Sequence, residues 1–420
     1  QSRVIWPGSP AAGWTTGVDS LYGLPSDSKQ GLTLTGRGQI WNTGIETHGP
    51  YQTGGGWPTV NGGISDTCFD RYGTGNYAFT PNKYKGIPGV VEGGVAHKNQ
   101  YASEFGTSGS SSFESMSATL AENHWGVQGG MPADTCDGPT QCIGEHTCEG
   151  ENPMTQRNYA CHTAITEYFG HHAVDVTASG ITAFQGQTYQ CQLAQAFVLK
   201  QVFELRRSQN VFGHLTWMLN EIWPTVGWGS LEYGPPPGFT AGQVKGGRWK
   251  PSHYFFKHSL MADVMATCGA NNMCWIKNDR ANKPFNGTVS LMGYDYMGDG
   301  VGHVVLQQNI FLPQGPGVLT YLTIPSGMSL PSPNTTALIS TVRDEKGMVI
   351  SEHLVQLGVP ANITAPKATL SISIAKVVNS DGSINITVTS DKVALWVTLT
   401  TRAQGHFSDN VFFLPATSKT

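Results

Sequence analysis

The stretch Lys98–Phe113 reads KNQYASEFGTSGSSSF, and its centre, Tyr101–Gly106, sets a single carboxylate, Glu104, between Ser103 and Phe105 with the small residues Ala102 and Gly106 just beyond. It follows an apolar-aromatic pair and precedes a run of glycine and serine that favours neither helix nor regular strand. An acid so placed is either a hydrogen-bond acceptor inside a fold or a reactive group, and the rest of the chain narrows the choice.

The 420 residues suffice for two or three domains with a sizeable core. Charged residues are 13% of the chain and the net charge is -4, which leaves no basic footprint for nucleic acid and no polybasic patch for a membrane surface. Neutral partners are expected. Eleven tryptophans in so weakly charged a chain fit carbohydrate contact as well as core packing. No apolar run reaches the length of a bilayer span. The first residues, QSRVIWPGSP, lack the apolar core of a signal peptide, so any targeting signal is expected to have been removed.

Eight cysteines stand at 68, 136, 142, 148, 161, 191, 268 and 274. The cluster CDGPTQCIGEHTC spaces three of them too widely for paired zinc ligands and predicts a disulfide-tied loop. Sequons begin at Asn286, Asn334, Asn362 and Asn385. Together with the even cysteine count they predict glycosylation at these four positions and a secreted, lysosomal or vacuolar protein.

Before about residue 260, short apolar pieces alternate with long glycine-rich loops. One helix is predicted, Thr188 to Ser208, in which Leu193, Phe197, Val198, Val202 and Leu205 recur at helical spacing and Arg206 and Arg207 meet the negative end of the helix dipole. Beyond about residue 265 the period becomes two. TLSISIAKV alternates Leu370, Ile372 and Ile374, SINITVTS alternates Ile384, Ile386 and Val388, and NSDGS between them reads as a hairpin turn; TVRDEKGMVISEHLV reads as another hairpin. This predicts β-sandwich, in two modules meeting near Gly358 to Ala368. In GGRWKPSHYFFKHSL, the residues Lys250, His253 and Lys257 fit either a catalytic patch or a solvated helix face, and the solvated face is favoured. Asp295 and Asp299, in GYDYMGDGVG, lack the spacing of a calcium loop and read as a turn. No metal or nucleotide site is apparent, and no cofactor is expected.

The segment FGHLTWMLNEIWPTVGWGSLEYG, Phe212 to Gly234, has two readings on pattern alone: a buried tryptophan-rich corner, or a strand that ends by presenting Trp217 and a polar pair at the mouth of a barrel. The order RVIWPGSPAAGW, YASEFG, the Arg-ended helix, WMLNEIWPTVGWGSLEYG with GGRWKPSHYFFK, and GHFSDNVFFL closely resembles the C-terminal half of β-mannosidases of glycoside hydrolase family 2, with loops of this chain's own at roughly 52–97 and 126–160.

That resemblance implies the C-terminal half of a (β/α)8 barrel over 1–262, then two immunoglobulin-like β-sandwiches over 263–362 and 363–420. It implies a retaining glycosidase with Glu104 as nucleophile, Trp217 as the platform beneath the sugar, and His48, Tyr51, Asn220 and Glu221 facing the substrate. The family has Asn-Asp where this chain has Asn220-Glu221, and a Gln where it has Ser108. The family's acid/base glutamate precedes anything corresponding to Gln1, which implies an N-terminal chain of the same precursor that completes the barrel. The substrate implied is a β-mannoside oligosaccharide. Other family 2 specificities (β-galactosidase, β-glucuronidase, exo-glucosaminidase, endo-β-mannosidase) stay open, as does a non-catalytic secreted carbohydrate-binding or structural glycoprotein on the same scaffold.

Overall fold

A computed structural model describes residues 46–51, 101–128, 153–156, 161–208, 210, 213–223, 225–232, 247–269, 272–315, 317–403, 405–416 and 418–419. The opening motif RVIWPGSPAAGW and cysteines 68, 136, 142 and 148 lie outside these residues, as do nearly all of the two loops at 52–97 and 126–160. Among the described residues strands outnumber helices.

Three strands, β1 (Glu46–Tyr51), β2 (Tyr101–Gly106) and β4 (Gly213–Thr216), form a parallel sheet with β2 in the middle. Parallel neighbours need long crossovers, and the described parts of the one from β2 to β4 carry helices. The connection from β2 first makes a two-residue strand, β3 (Gly109–Ser110), and later, after shorter helical turns, its two longest described helices, α1 (Cys161–Phe169) and α2 (Ile181–Ser208). Helix α2 begins seven residues before the spacing of apolar residues predicts. Its early turns hold polar groups that the interior satisfies: Gln187 and Gln190 are buried and bond backbone atoms of the preceding loop. A strongly amphipathic stripe is therefore not needed to dock it. Arg206 and Arg207, expected at the helix dipole, are buried. Arg206 lies over the Phe105 ring, and Arg207 donates to the carbonyl oxygens of Ser259 and Ala262 and pairs with Asp279.

The cysteines of α1 and α2, Cys161 and Cys191, form a disulfide, and Cys268 pairs with Cys274. Phe197 of α2 packs among the rings of Tyr168, Phe169, Phe255 and Trp396, so one buried side chain joins both helices to a strand near the C-terminus.

After the short strands β5 (Val226–Gly227), β6 (Leu231–Glu232) and β7 (Arg248–Trp249) comes helix α3 (Pro251–Phe255), which continues as a wider turn through Leu260. Its proline at the first turn fits the helix start. Here one expectation is corrected: Lys250, read as part of a solvated face, is fully buried, because an acid and a carbonyl upstream receive its ammonium. His253 is half-buried and packs at a tilt against the Trp249 ring.

The first sandwich packs β8 (Val264–Cys268), β9 (Cys274–Asn278) and β12 (Val318–Tyr321) against the four-stranded sheet of β10 (Phe285–Asp295), β11 (His303–Leu312), β13 (Thr336–Asp344) and β14 (Val349–Val355). All its pairings are antiparallel, and its core alternates along β10 through Phe285, Val289 and Leu291. The predicted β13–β14 hairpin forms, with Gly347 at positive φ in the turn. Asp295 ends β10 and accepts from Thr336, and Asp299, in the turn that follows, accepts from the Val301 amide.

The last region has β15 (Leu370–Val378), β16 (Ile384–Ser390) and β19 (Ser418–Lys419) in one sheet and β17 (Ala394–Val397) with β18 (Phe412–Leu414) in another. The NSDGS turn is as predicted, with Asp381 accepting from Ser383 and Gly382 at positive φ. The face it sets is not. Leu370, Ile372 and Ile374, whose alternation is that of a strand with one covered face, are 44%, 59% and 62% exposed, since the facing pair β17–β18 covers β16 and leaves the edge strand bare.

Candidate active site

In the parallel sheet, register rather than sequence distance decides which residues share an edge. Glu104 is the partner of His48, Tyr51 of Gly106, and Phe105 of Thr216. The carboxyl ends of β1, β2 and β4 thus gather Tyr51, Glu104 and the Trp217 that follows Thr216, at the end of a parallel sheet where ligands of such sheets bind. His48 and Tyr51 hold these positions by their backbones; their side chains lie outside the described residues.

Glu104 is half-buried and Trp217 is 46% exposed, while Phe105 between them and the core is fully buried. Alternation along the strand explains the pair: the residue after Glu104 turns into the helix layer, so the carboxylate points the other way. Two backbone contacts lock the strand end to the tryptophan. The Trp217 amide donates to the Phe105 carbonyl at 2.7 Å, and a Cβ at Gly106 would collide with the Trp217 carbonyl oxygen, so only glycine permits the approach. Leu219, Ile222 and Trp223 are exposed beside Trp217, and together they make the corner apolar.

The rest of the corner faces inward. Asn220 is half-buried, its amide donating to the Glu221 carbonyl at 3.2 Å. Glu221, expected to face the substrate, is instead buried, and its carboxylate is ion-paired with Lys250. Burial raises the Glu221 pKa, and the Lys250 ammonium opposes the rise. Gly227 makes room for this acid, since a Cβ there would overlap the Glu221 carboxylate.

The glycine-serine run behind Glu104 is buried rather than looped into solvent. Ser110 donates to the Thr188 carbonyl at 3.0 Å, and the Thr107 carbonyl accepts from Gln195 at 3.0 Å. Glu232, also buried, accepts from the Ser112 amide and hydroxyl, the Ser115 hydroxyl and Gln192, at 2.7, 2.6, 2.5 and 2.8 Å. Small residues fill this layer because each hydroxyl must reach a partner within one side-chain length. Sequence reading missed Gln195 and Glu232 and took Lys250 as solvated. Their only signal was polar residues in otherwise packed stretches, which surface residues also show.

Around the corner, Ser230 bonds His253 at 2.9 Å, and Trp249 stacks on His406 from the C-terminal region at 4.2 Å. Burial, and then the His406 charge, depress the His253 pKa to about 4. Among the described residues no three His, Cys, Asp or Glu side chains come together as a metal site, and no helix is long and apolar enough to cross a membrane. The four sequon asparagines, Asn286, Asn334, Asn362 and Asn385, are all exposed.

A family model of a mannosidase Ig-fold domain matches residues 366–420. The chain is 26% identical over 167 residues to a β-mannosidase of Capra hircus and 25% over 170 residues to one of Bos taurus; each match covers 38% of this chain and 16% of the relative. The structure of a β-D-mannosidase from Dictyoglomus thermophilum superposes with a TM-score of 0.53 at 19% identity, covering 76% of this chain and 34% of that one. Sequence and fold together relate this chain to the C-terminal part of family 2 β-mannosidases, with an Ig-like module at its end. The matches span only a small part of the length of these relatives.

Proposed function

We propose that this chain is the C-terminal catalytic part of a retaining glycosidase that releases terminal β-D-mannose from oligosaccharides or glycoprotein glycans. The observation that carries the reading is the placement of Glu104 at the carboxyl end of the central parallel strand, locked by backbone contacts to the exposed Trp217. In this reading residues 1–262 are the second half of a (β/α)8 barrel, and 263–362 and 363–420 are two immunoglobulin-like sandwiches. The parallel strands β1, β2 and β4 would be the last three of the barrel. Leu215, exposed on β4, supports a missing neighbour at that edge.

A sugar lying against the Trp217 ring presents its anomeric carbon to Glu104. The carboxylate attacks, a carbon–oxygen bond forms to Glu104, the glycosidic bond breaks, and the departing oxygen takes a proton from a second carboxyl group. Water then attacks the anomeric carbon, its proton passes to that second group, the carbon–oxygen bond to Glu104 breaks, and mannose and the Glu104 carboxylate are freed. Retention requires the second carboxyl about 5–5.5 Å away. Glu221 is turned inward to Lys250, and on the family resemblance we assign the acid/base to an N-terminal chain of the same precursor. The exposed sequons and the disulfides Cys161–Cys191 and Cys268–Cys274 support an oxidising, secretory-route compartment and glycosylation at the four asparagines.

The test is Glu104→Gln in the complete polypeptide, assayed with an aryl β-mannoside. Turnover should fall by several orders of magnitude with the fold intact, because covalent catalysis divides one high barrier into two lower ones. Retention of more than about a tenth of the activity would reject the assignment.

A further inference from the structure

The loop that follows Glu104 and the corner that carries Trp217 meet at the strand ends and through the pairing of β3 with β5, and a buried ionic connection runs beneath them. The Lys250 ammonium, fully buried, donates to the Gly109 carbonyl at 3.0 Å and is ion-paired with Glu221. Gly109 lies three residues beyond Gly106 on β3, and β3 pairs with β5, whose Gly227 leaves the space that the Glu221 carboxylate fills. Glu221 lies one residue beyond Asn220, and its amide donates to the Leu231 carbonyl at 2.9 Å. Lys250 itself is tied to the corner, its amide donating to the Ser230 carbonyl at 2.9 Å. One buried cation therefore touches the nucleophile loop at one end and the tryptophan corner at the other.

We propose that Glu221 and Lys250 are positioning residues: a buried strut that fixes the Glu104 strand end relative to the Trp217 ring. The inference rests on the functional reading above and assigns Glu221 a role through Lys250 rather than through substrate. Its chemistry fits a strut better than a stabiliser. A buried ion pair contributes little net stability over apolar residues of similar volume, whereas removing one partner alone leaves a bare buried charge. The pair has a use when the distance it enforces matters, as it does here, because the sugar must lie on one element while the attacking carboxylate comes from another.

Three variants of the complete polypeptide test this: Lys250→Met, Glu221→Gln and the double Glu221→Met/Lys250→Met. The double variant leaves no uncompensated charge and is expected to fold even where a single one does not. Two readouts are taken: kcat and KM on an aryl β-mannoside, and amide hydrogen exchange over residues 105–110 and 217–221. The proposal expects faster exchange at both segments and a kcat lowered about tenfold to a hundredfold, the order that a misplacement near 1 Å costs. KM should change much less.

Unchanged exchange in the folded double variant overturns the strut. Faster exchange with kcat within about twofold of the parent overturns the positioning role while leaving a structural one. Failure of the functional reading shows separately, as turnover retained by Glu104→Gln. Exchange still decides the strut in that case.

Discussion

At the residue scale, Glu104 was visible in the sequence because its motif is local: six contiguous residues carry it, and the glycine that ends it is the one the Trp217 carbonyl requires. Lys250 was invisible for the opposite reason. A lysine ahead of a proline-started helix reads as solvated, and its burial depends on Glu221, 29 residues upstream, and Gly109, 141 residues upstream. His253, beside it, gives a pH test. Its pKa in the folded protein is depressed from 6.5 to about 4 by burial and by the His406 charge. The unfolded chain takes up that proton near pH 6.5, so this group leaves stability unaffected above that pH and weakens it as pH falls toward about 4, where the loss is complete. His253→Gln should flatten that part of the profile, read as melting temperature against pH. An unchanged acid slope would mean that the ring is protonated in the fold.

At the element scale, turns and hairpins were legible because their chemistry is contained in a few neighbours: the Asp381–Ser383 bond and the positive φ of Gly382 and Gly347 are local events. Which face of a strand is covered is not local. Leu370, Ile372 and Ile374 alternate as a core strand does, yet remain exposed because the opposing sheet stops short of β15. Helix α2 shows the complementary failure. Buried glutamines with backbone partners lengthen it beyond its apolar pattern. The weight of this helix falls on Phe197, where four aromatic rings from three other parts of the chain converge. Phe197→Ala should destabilise the protein by about 3–5 kcal/mol, the usual cost of emptying an aromatic site in a core. Chemical denaturation would measure it, and a loss below about 1 kcal/mol would show that the cluster closes around the gap.

At the scale of the whole molecule, the prediction concerns a companion. If three parallel strands are the tail of a barrel, the remainder must cover their open edge, through an interface of the size of permanent complexes, above about 2,000 Å². Native and denaturing mass spectrometry of the purified protein should show this chain held to a second polypeptide or continuous with one. A stable, active monomer of these 420 residues would place the acid/base carboxyl within this chain. By itself the sequence determined the local chemistry: the S-E-F-G carboxylate, the hairpin turns, the period-two strands, and the resemblance that its ordered motifs carry. Only the tertiary structure decided which residues meet. Parallel register set Glu104 beside His48 and Trp217 beside Gly106, and turned Glu221 away from solvent onto Lys250. The physical reason is that a side chain's burial and its partner are properties of packing between distant segments, and a linear pattern records the apolar period of a segment without recording what lies opposite it.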